Sequence, residues 1–384
     1  MPTTSVAAAK LLPLIRAGVA AAPGRPDLQL QLAKALFQTD ALAELIERFA
    51  PAITATDADP ELLYHLGLAA AASGDHRLAH DALRAAAKGG YASAFGYLAE
   101  ALRRLGRDDE ALDAGLRGLH HLPSDFKALG IVVRTLLERG ERERVRALCA
   151  GLLERGAWNA YVPSALALAA DTPDRDADVA ALIDAPRRLA AAQLGVAGDF
   201  NARLAAELLA HPALAPLPST KATSGAGRRI DRLQDAAGPL ARELLARIAG
   251  AVEDYAVRRD DGADHPLRER RPAATVLNAW AIAVHDDGHE EWHMHPGGWI
   301  SGVYYVAVPP AATPADDRPG AIEFGPFPLG GDGASRGWPR RRVTPRAGML
   351  LLFPSYFAHR TWPTGVAEPR ICIAFDVVAA AGAQ

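Results

Sequence analysis

Two histidines stand one residue apart in H-M-H-P-G-G-W-I-S-G-V-Y-Y, which runs from His293 to Tyr305. In extended chain, side chains at i and i+2 project to the same side, so both imidazoles face one space. A third histidine, His359, lies in F-P-S-Y-F-A-H-R, and Arg370 follows it at the head of R-I-C-I-A-F-D-V-V. Imidazoles converging from separate segments can hold a divalent transition metal. Alternation from Arg370 onward puts Ile371, Ile373, Phe375 and Val377 on one face, and Arg370, Cys372, Ala374 and Asp376 on the other. A guanidinium with small neighbours on one face of an otherwise apolar strand points to a cavity that takes an anion.

These residues need strands to carry them. The segment 274–284 reads as one, with Val276, Asn278, Trp280 and Ile282 on one face and mostly alanine on the other. The His293–His295 segment reads as a second, and W-I-S-G-V-Y-Y-V-A-V from Trp299, closed by Pro309 and Pro310, as a third. G-M-L-L-L-F-P-S from Gly348 and the Arg370 segment complete the set. Short strands punctuated by Pro and Gly indicate a jelly roll or barrel. Ahead of them lie a helix from Phe200, a loop from Pro218 and an amphipathic helix over Gly238–Tyr255. The acidic stretch H-D-D-G-H-E-E, His285 to Glu291, precedes the histidine pair. Arg340, Arg341 and Arg342 stand in a row, which reads as a solvated basic loop.

The first half has other habits. It is rich in Ala, Leu and Arg with helical periodicity, whereas five of the six tryptophans fall in the second half. Asp40, Gly74, Gly106 and Gly140 recur at steps of 34, 32 and 34 residues. Ala33, Gly67 and Ala99 recur with them, as do Leu45, Ala79, Ala111 and Val145. Small residues at fixed positions let paired helices approach closely, and a glycine between them makes the turn. Pro60 and Pro123 punctuate the gaps. This pattern resembles a tetratricopeptide array of about four repeats, whose period is ~34 residues. Such arrays form superhelices with a concave face that holds peptides or partner proteins. The alternative is an array that only supports the second half or mediates self-association.

H-M-H at His293, S-G-V-Y-Y-V at Ser301, G-A-I-E-F at Gly320, P-R-A-G-M-L-L-L-F-P-S at Pro345, His359 and R-I-C-I-A-F at Arg370 occur in this order. Together they resemble the iron(II)- and 2-oxoglutarate-dependent oxygenases, in particular the bacterial branch similar to prolyl hydroxylases. The resemblance implies a double-stranded β-helix with Fe(II) as cofactor and 2-oxoglutarate as cosubstrate. It implies oxidative decarboxylation of 2-oxoglutarate coupled to hydroxylation of an unactivated C–H bond. By the same resemblance His293 and His359 are iron ligands, and His295 occupies the position where relatives carry a carboxylate. His295 is taken as the third ligand. The alternatives are a supporting role behind two ligands, or a carboxylate lent by the 285–291 stretch. Arg370 is expected to grip the distal carboxylate of 2-oxoglutarate, with Tyr305 touching the same group. Cys372 stands where relatives often carry a hydroxyl.

The expected organisation is multidomain, α then β: a tetratricopeptide-like α-solenoid followed by a double-stranded β-helix with supporting helices. Residues 1–26 form a helical cap, 27–155 the repeat array, 156–196 a helical connector and 197–380 the oxygenase domain. A net charge of −3 gives no electrostatic case for nucleic-acid binding. Two distant cysteines, Cys149 and Cys372, suit a reducing compartment. The N-terminal apolar stretch is broken by Lys10, Pro13 and Arg16, so a soluble, cytoplasmic protein is expected. The expected activity is hydroxylation of a protein, peptide or carrier-bound substrate recruited by the array. Two rival readings are a non-catalytic scaffold with a degenerate barrel and a cupin-type three-histidine dioxygenase without 2-oxoglutarate. An enzyme of that last kind has no use for a buried Arg370.

Overall fold

In a computed structural model the described residues are 5–55, 57–157, 159–170, 177–217, 223–259, 271–309, 318–325 and 340–380. Contacts divide the chain into one unit ending at Tyr161 and another running from Val162. In the first unit the helical periodicity becomes α1 (Ser5–Ala21), α2 (Pro26–Gln38), α3 (Leu42–Phe49), α4 (Pro60–Ala72), α5 (His76–Lys88), α6 (Ala94–Arg104), α7 (Asp108–His121), α8 (Phe126–Glu138) and α9 (Arg142–Glu154). The recurring Asp40, Gly74, Gly106 and Gly140 sit in the α2–α3, α4–α5, α6–α7 and α8–α9 turns. Their φ values are 58, 82, 74 and 75°, the left-handed region in which glycine is unstrained. Ala33, Leu45, Ala79, Ala99, Ala111 and Val145 are all fully buried. A Cβ at Gly67 would lie 2.5 Å from Leu83 Cγ, so α4 and α5 touch at this point only because the side chain is absent. Pro60 opens α4 rather than merely separating repeats. The preceding Asp59 caps the helix by accepting from the backbone N–H groups of Glu61 and Leu62 at 2.8 and 3.1 Å.

The second unit begins with α10 (Val162–Ala169), α11 (Ala177–Ile183), α12 (Ala185–Arg188) and strand β1 (Ala190–Gln193). The polar loop expected at 171–178 and the loop from Pro218 lie largely outside the described residues. Then come α13 (Phe200–Leu209), β2 (Ala215–Pro216), β3 (Thr223–Ser224), β4 (Gly227–Ile230), α14 (Leu233–Ala236) and α15 (Pro239–Arg259). The remaining strands are β5 (Thr275–Val284), β6 (His289–Glu290), β7 (Ile300–Ala307), β8 (Ile322–Phe324), β9 (Arg341–Val343), β10 (Met349–Pro354), β11 (His359–Thr361) and β12 (Arg370–Ala379). The main sheet has the order β1-β10-β7-β12-β5-β4-β2, a smaller one β11-β8-β9, and β3 pairs with β6. Every pairing is antiparallel.

The outer face of the main sheet carries Ala279, Ala281 and Ala283 of β5 and Ile371, Ile373, Phe375 and Val377 of β12. Both sets lie in one core with Leu204 of α13 and Leu244 and Ile248 of α15. Small side chains on β5 leave room for the α15 residues that pack into this core. Gly302 leaves room in the same way within β7, since a Cβ there would meet Phe375 Cζ at 2.4 Å. The opposite face of β5, β7 and β12 looks toward the small sheet, and the cavity lies there. Among the described residues no helix is long and apolar enough to cross a membrane.

Two sequence expectations need correction. Ala190–Gln193, read as helical, is an edge strand paired to β10 from Leu352 to Met349. Alanine's helical preference is weak beside a complete row of main-chain hydrogen bonds. The His293–His295 segment is not a full strand. His293 makes a single antiparallel bridge with His359, and Pro296-Gly297-Gly298 turns the chain before a ladder can extend.

Candidate metal centre and anion pocket

The alternation along β12 fixes what faces the cavity. Arg370 stands opposite Val284 of β5, Cys372 opposite Ile282, Ala374 opposite Trp280 and Asp376 opposite Asn278. On its other side, Cys372 meets Tyr305 and Asp376 meets Ser301 of β7. One end of this strand face therefore offers a guanidinium and the other a carboxylate.

At the carboxylate end three imidazoles come together. The candidate ligand atoms of His293, His295 and His359 all lie within 4.8 Å of one another. His293 and His359 are locked by their backbone bridge, 2.9 Å in each direction, and the His295 N–H donates to the Ser355 carbonyl at 3.1 Å. Each ring has an acceptor at Nδ1. His293 meets the Glu291 carbonyl at 2.7 Å, His359 the Phe357 carbonyl at 2.9 Å and His295 the Asp376 carboxylate at 3.1 Å. Carbonyl and carboxylate oxygens only accept, so each Nδ1 donates and each Nε2 is the nitrogen presented to a metal. Asp376 is itself held, its second oxygen accepting from Ser301 Oγ at 2.6 Å, and Ser301 shares a 2.8 Å hydrogen bond with Ser355.

A fourth group joins from β6. Glu290 Oε2 lies 3.1 Å from His293 Nε2, and its Oε1 accepts from Thr223 Oγ1 at 3.0 Å. Burial works against charge on both partners. The Glu290–His293 attraction and hydrogen bond outweigh it, drawing the carboxyl well below its usual range and the imidazole upward. His359 is pushed strongly down by burial and by the neighbouring imidazoles. The 285–291 stretch thus does bring a carboxylate to the cluster. Glu290 favours positive charge at His293, where a metal ion's charge would fall.

At the other end Arg370 is 2 % exposed. Its Nη1 donates to the Gly320 carbonyl at 2.8 Å and its Nη2 to Thr361 Oγ1 at 3.1 Å. Among the described residues no carboxylate hydrogen-bonds to it, and its Nε has no acceptor. The hydroxyl of Tyr305 and the indole nitrogen of Trp280 are likewise buried without a partner. All three residues line one cavity with His295, His359 and Glu290, walled by Ile282, Ile322 and Phe353. Burial raises the Tyr305 phenol and lifts the Cys372 thiol to about 11, so both enter the cavity protonated. Unpartnered buried donors are uncommon and unfavourable, and three around one space make it suited to an oxygen-rich anion. The residues present therefore fit both a divalent ion on the imidazoles and a dicarboxylate reaching Arg370.

Other residues fall elsewhere. Asn278 does not line the cavity; its side-chain oxygen accepts from Gln234 Nε2 at 3.1 Å. The arginine row is more than a solvated loop. Arg341–Val343 is a strand, Arg342 lies 3.6 Å from the buried Glu323, and Arg340 sits over Trp292. Sequence reasoning gave Asp376 and Glu290 no individual roles. The only signals were that Asp376 shares the Arg370 face and that Glu290 belongs to the acidic stretch.

Comparison with known proteins gives one family match and distant structural likenesses. Residues 278–376 match the model of a family described as "Putative 2OG-Fe(II) oxygenase". No curated protein matches the chain. Among solved structures, a prolyl-4-hydroxylase from Pseudomonas putida is similar at 16% identity and a TM-score of 0.34, over 52% of this chain and 98% of that one. HygX from Streptomyces hygroscopicus, with nickel, 2-oxoglutarate and hygromycin B bound, is similar at 15% identity and 0.34, over 52% and 86%. MamA is similar at 22% identity and 0.31, over 34% of this chain and 77% of that one.

Proposed function

We propose, from the match of residues 278–376 to the 2OG-Fe(II) oxygenase family model, that the chain is an iron(II)- and 2-oxoglutarate-dependent dioxygenase that hydroxylates a protein, peptide or carrier-bound substrate. The observation that carries this reading is a cluster of three imidazoles, two of which, His295 and His359, line one cavity with a buried arginine that has no carboxylate partner among the described residues. Such an arginine favours a cosubstrate-dependent enzyme over a cupin-type one.

In this reading His293, His295 and His359 would hold the ion. Bound there, iron supplies oxygen activation coupled to conversion of 2-oxoglutarate to succinate and carbon dioxide. Everything else is the work of this chain's side chains. Asp376 keeps His295 in the tautomer that offers Nε2. Arg370, with its Nε–H free, and Tyr305 fix the distal carboxylate by charge-assisted hydrogen bonds. Ile282, Ile322 and Phe353 keep water from the reacting groups. A third imidazole in place of a carboxylate leaves the ligand set one negative charge poorer, and Glu290 and Asp376 stand close enough to offset part of that. The helical repeats of the first unit would recruit the substrate.

The test is succinate formation from 2-oxoglutarate by the full chain. Turnover that requires iron(II) and is lost in Arg370→Gln supports the reading. Absence of iron-dependent succinate under all loading conditions refutes it and favours the scaffold.

A further inference from the structure

Trp280 carries a donor that neither the imidazoles nor the arginine grip accounts for. It sits on β5 opposite Ala374, between the Cys372 level and the Asp376 level of the strand face. The residue is 8 % exposed, its Nε1 has no acceptor among the described residues, and it lines the cavity. Its position is rigid. The ring stacks with His295, centroids 5.6 Å apart at 23°, and the Arg229 guanidinium lies 5.0 Å from its centroid. Arg229 is itself fixed by Asp231 at 2.6 Å. Deep packing alone explains a buried ring. It does not explain leaving the N–H unpaired where a neighbouring carbonyl or hydroxyl would serve.

An indole nitrogen donates and cannot accept, so the missing partner is an acceptor brought by a ligand. The three orphaned donors are ordered along the strand face. Arg370 and Tyr305 serve the distal end, and Trp280 serves the end that adjoins His295. We propose that Trp280 is a binding residue whose Nε1–H donates to the metal-proximal carboxylate of a bound 2-oxo acid. The two carboxylates of the ligand are then read by different residues at opposite ends, which selects a diacid over a monoacid. This inference rests on the reading of the cavity as a 2-oxoglutarate site.

The test is calorimetric titration of 2-oxoglutarate into the full chain loaded with Mn(II), as wild type and as Trp280→Phe. Phenylalanine keeps an aromatic ring beside His295 and removes the donor together with part of the indole's bulk; the Mn(II) affinity, measured in the same titrations, reports whether that lost packing disturbs His295. The expected result is 2-oxoglutarate affinity roughly ten- to hundredfold weaker, as for loss of a hydrogen bond to a charged group, with Mn(II) affinity unchanged. Unchanged 2-oxoglutarate affinity overturns the assignment. So does an equal loss of Mn(II) affinity, which marks a merely structural role. If the wild type itself binds no 2-oxoglutarate, the reading of the cavity falls and this inference with it. Should the variant not fold, the indole N–H resonances of the Zn(II)-loaded wild type decide. One moves when 2-oxoglutarate is added; if none moves, the inference is overturned.

Discussion

Asp376→Asn probes the contact that makes His295 a ligand. Asp376 uses one oxygen for His295 Nδ1 at 3.1 Å and the other for Ser301 Oγ at 2.6 Å. The amide keeps one oxygen and replaces the other with an NH2 group. If the shorter Ser301 bond keeps the oxygen, NH2 faces an Nδ1–H. The imidazole must then move its proton to Nε2, the atom needed for iron. If the amide turns over, His295 keeps its tautomer but loses the charge-assisted bond that makes it a better donor to metal. Either way the loss is that of a carboxylate supporting a metal-bound histidine, about 10–100-fold in iron affinity, or roughly 1.4–2.7 kcal/mol. Anaerobic competition for iron(II) against a chelator of known affinity measures it, with circular dichroism to confirm folding. His295→Asp is the counterpart. A carboxylate there gives the two-histidine, one-carboxylate set, and iron binding should persist. Wild-type iron affinity in Asp376→Asn would refute the reasoning, because His295 would then not be held for the metal.

Three further outcomes are expected. Arg370→Gln should weaken 2-oxoglutarate binding by roughly 2–5 kcal/mol, thirtyfold or more, while leaving iron affinity near wild type; calorimetry on both ligands checks this. Gly67→Ala forces a methyl group into Leu83 and should destabilise the helical unit by about 1–3 kcal/mol, read from denaturant melts of the full chain. Burial pulls His65 down to about 4, so its neutral form is favoured in the fold. The unfolded chain takes that proton near pH ~6.5, so this share of stability is complete above that pH. It is lost as pH falls toward about 4, by up to roughly 3 kcal/mol, and His65→Gln should remove that dependence in melts across the window.

The legible parts of this molecule are those where one local rule forces one residue type. A turn in the left-handed region needs glycine or a tolerant substitute, so Asp40, Gly74, Gly106 and Gly140 announced the helix pairs. A strand with one face in the core and one in a cavity must alternate, so Arg370 was separable from Ile371 and Ile373 without coordinates. What was not legible depends on pairing across long distances. Asp376 meets His295 over 81 positions, and nothing local in either segment names the other. Glu290 was hidden among Asp286, Asp287 and Glu291; the two-residue pairing of Thr223 and Ser224 with β6 singles it out by turning its carboxylate inward. Ala190–Gln193 misled because its composition favours helix while the exposed edge of β10 offers hydrogen bonds that only a strand can take.

The central claim is that one cavity holds both an iron(II) ion and a diacid. Anaerobic addition of 2-oxoglutarate to the iron(II)-loaded chain tests it most directly, followed by absorption for the metal-to-cosubstrate charge-transfer band. The expected result is a saturable visible band that needs both components, is absent with either alone, and is lost in His359→Ala. Iron that binds without any band, or a band that survives the loss of His359, would contradict the account.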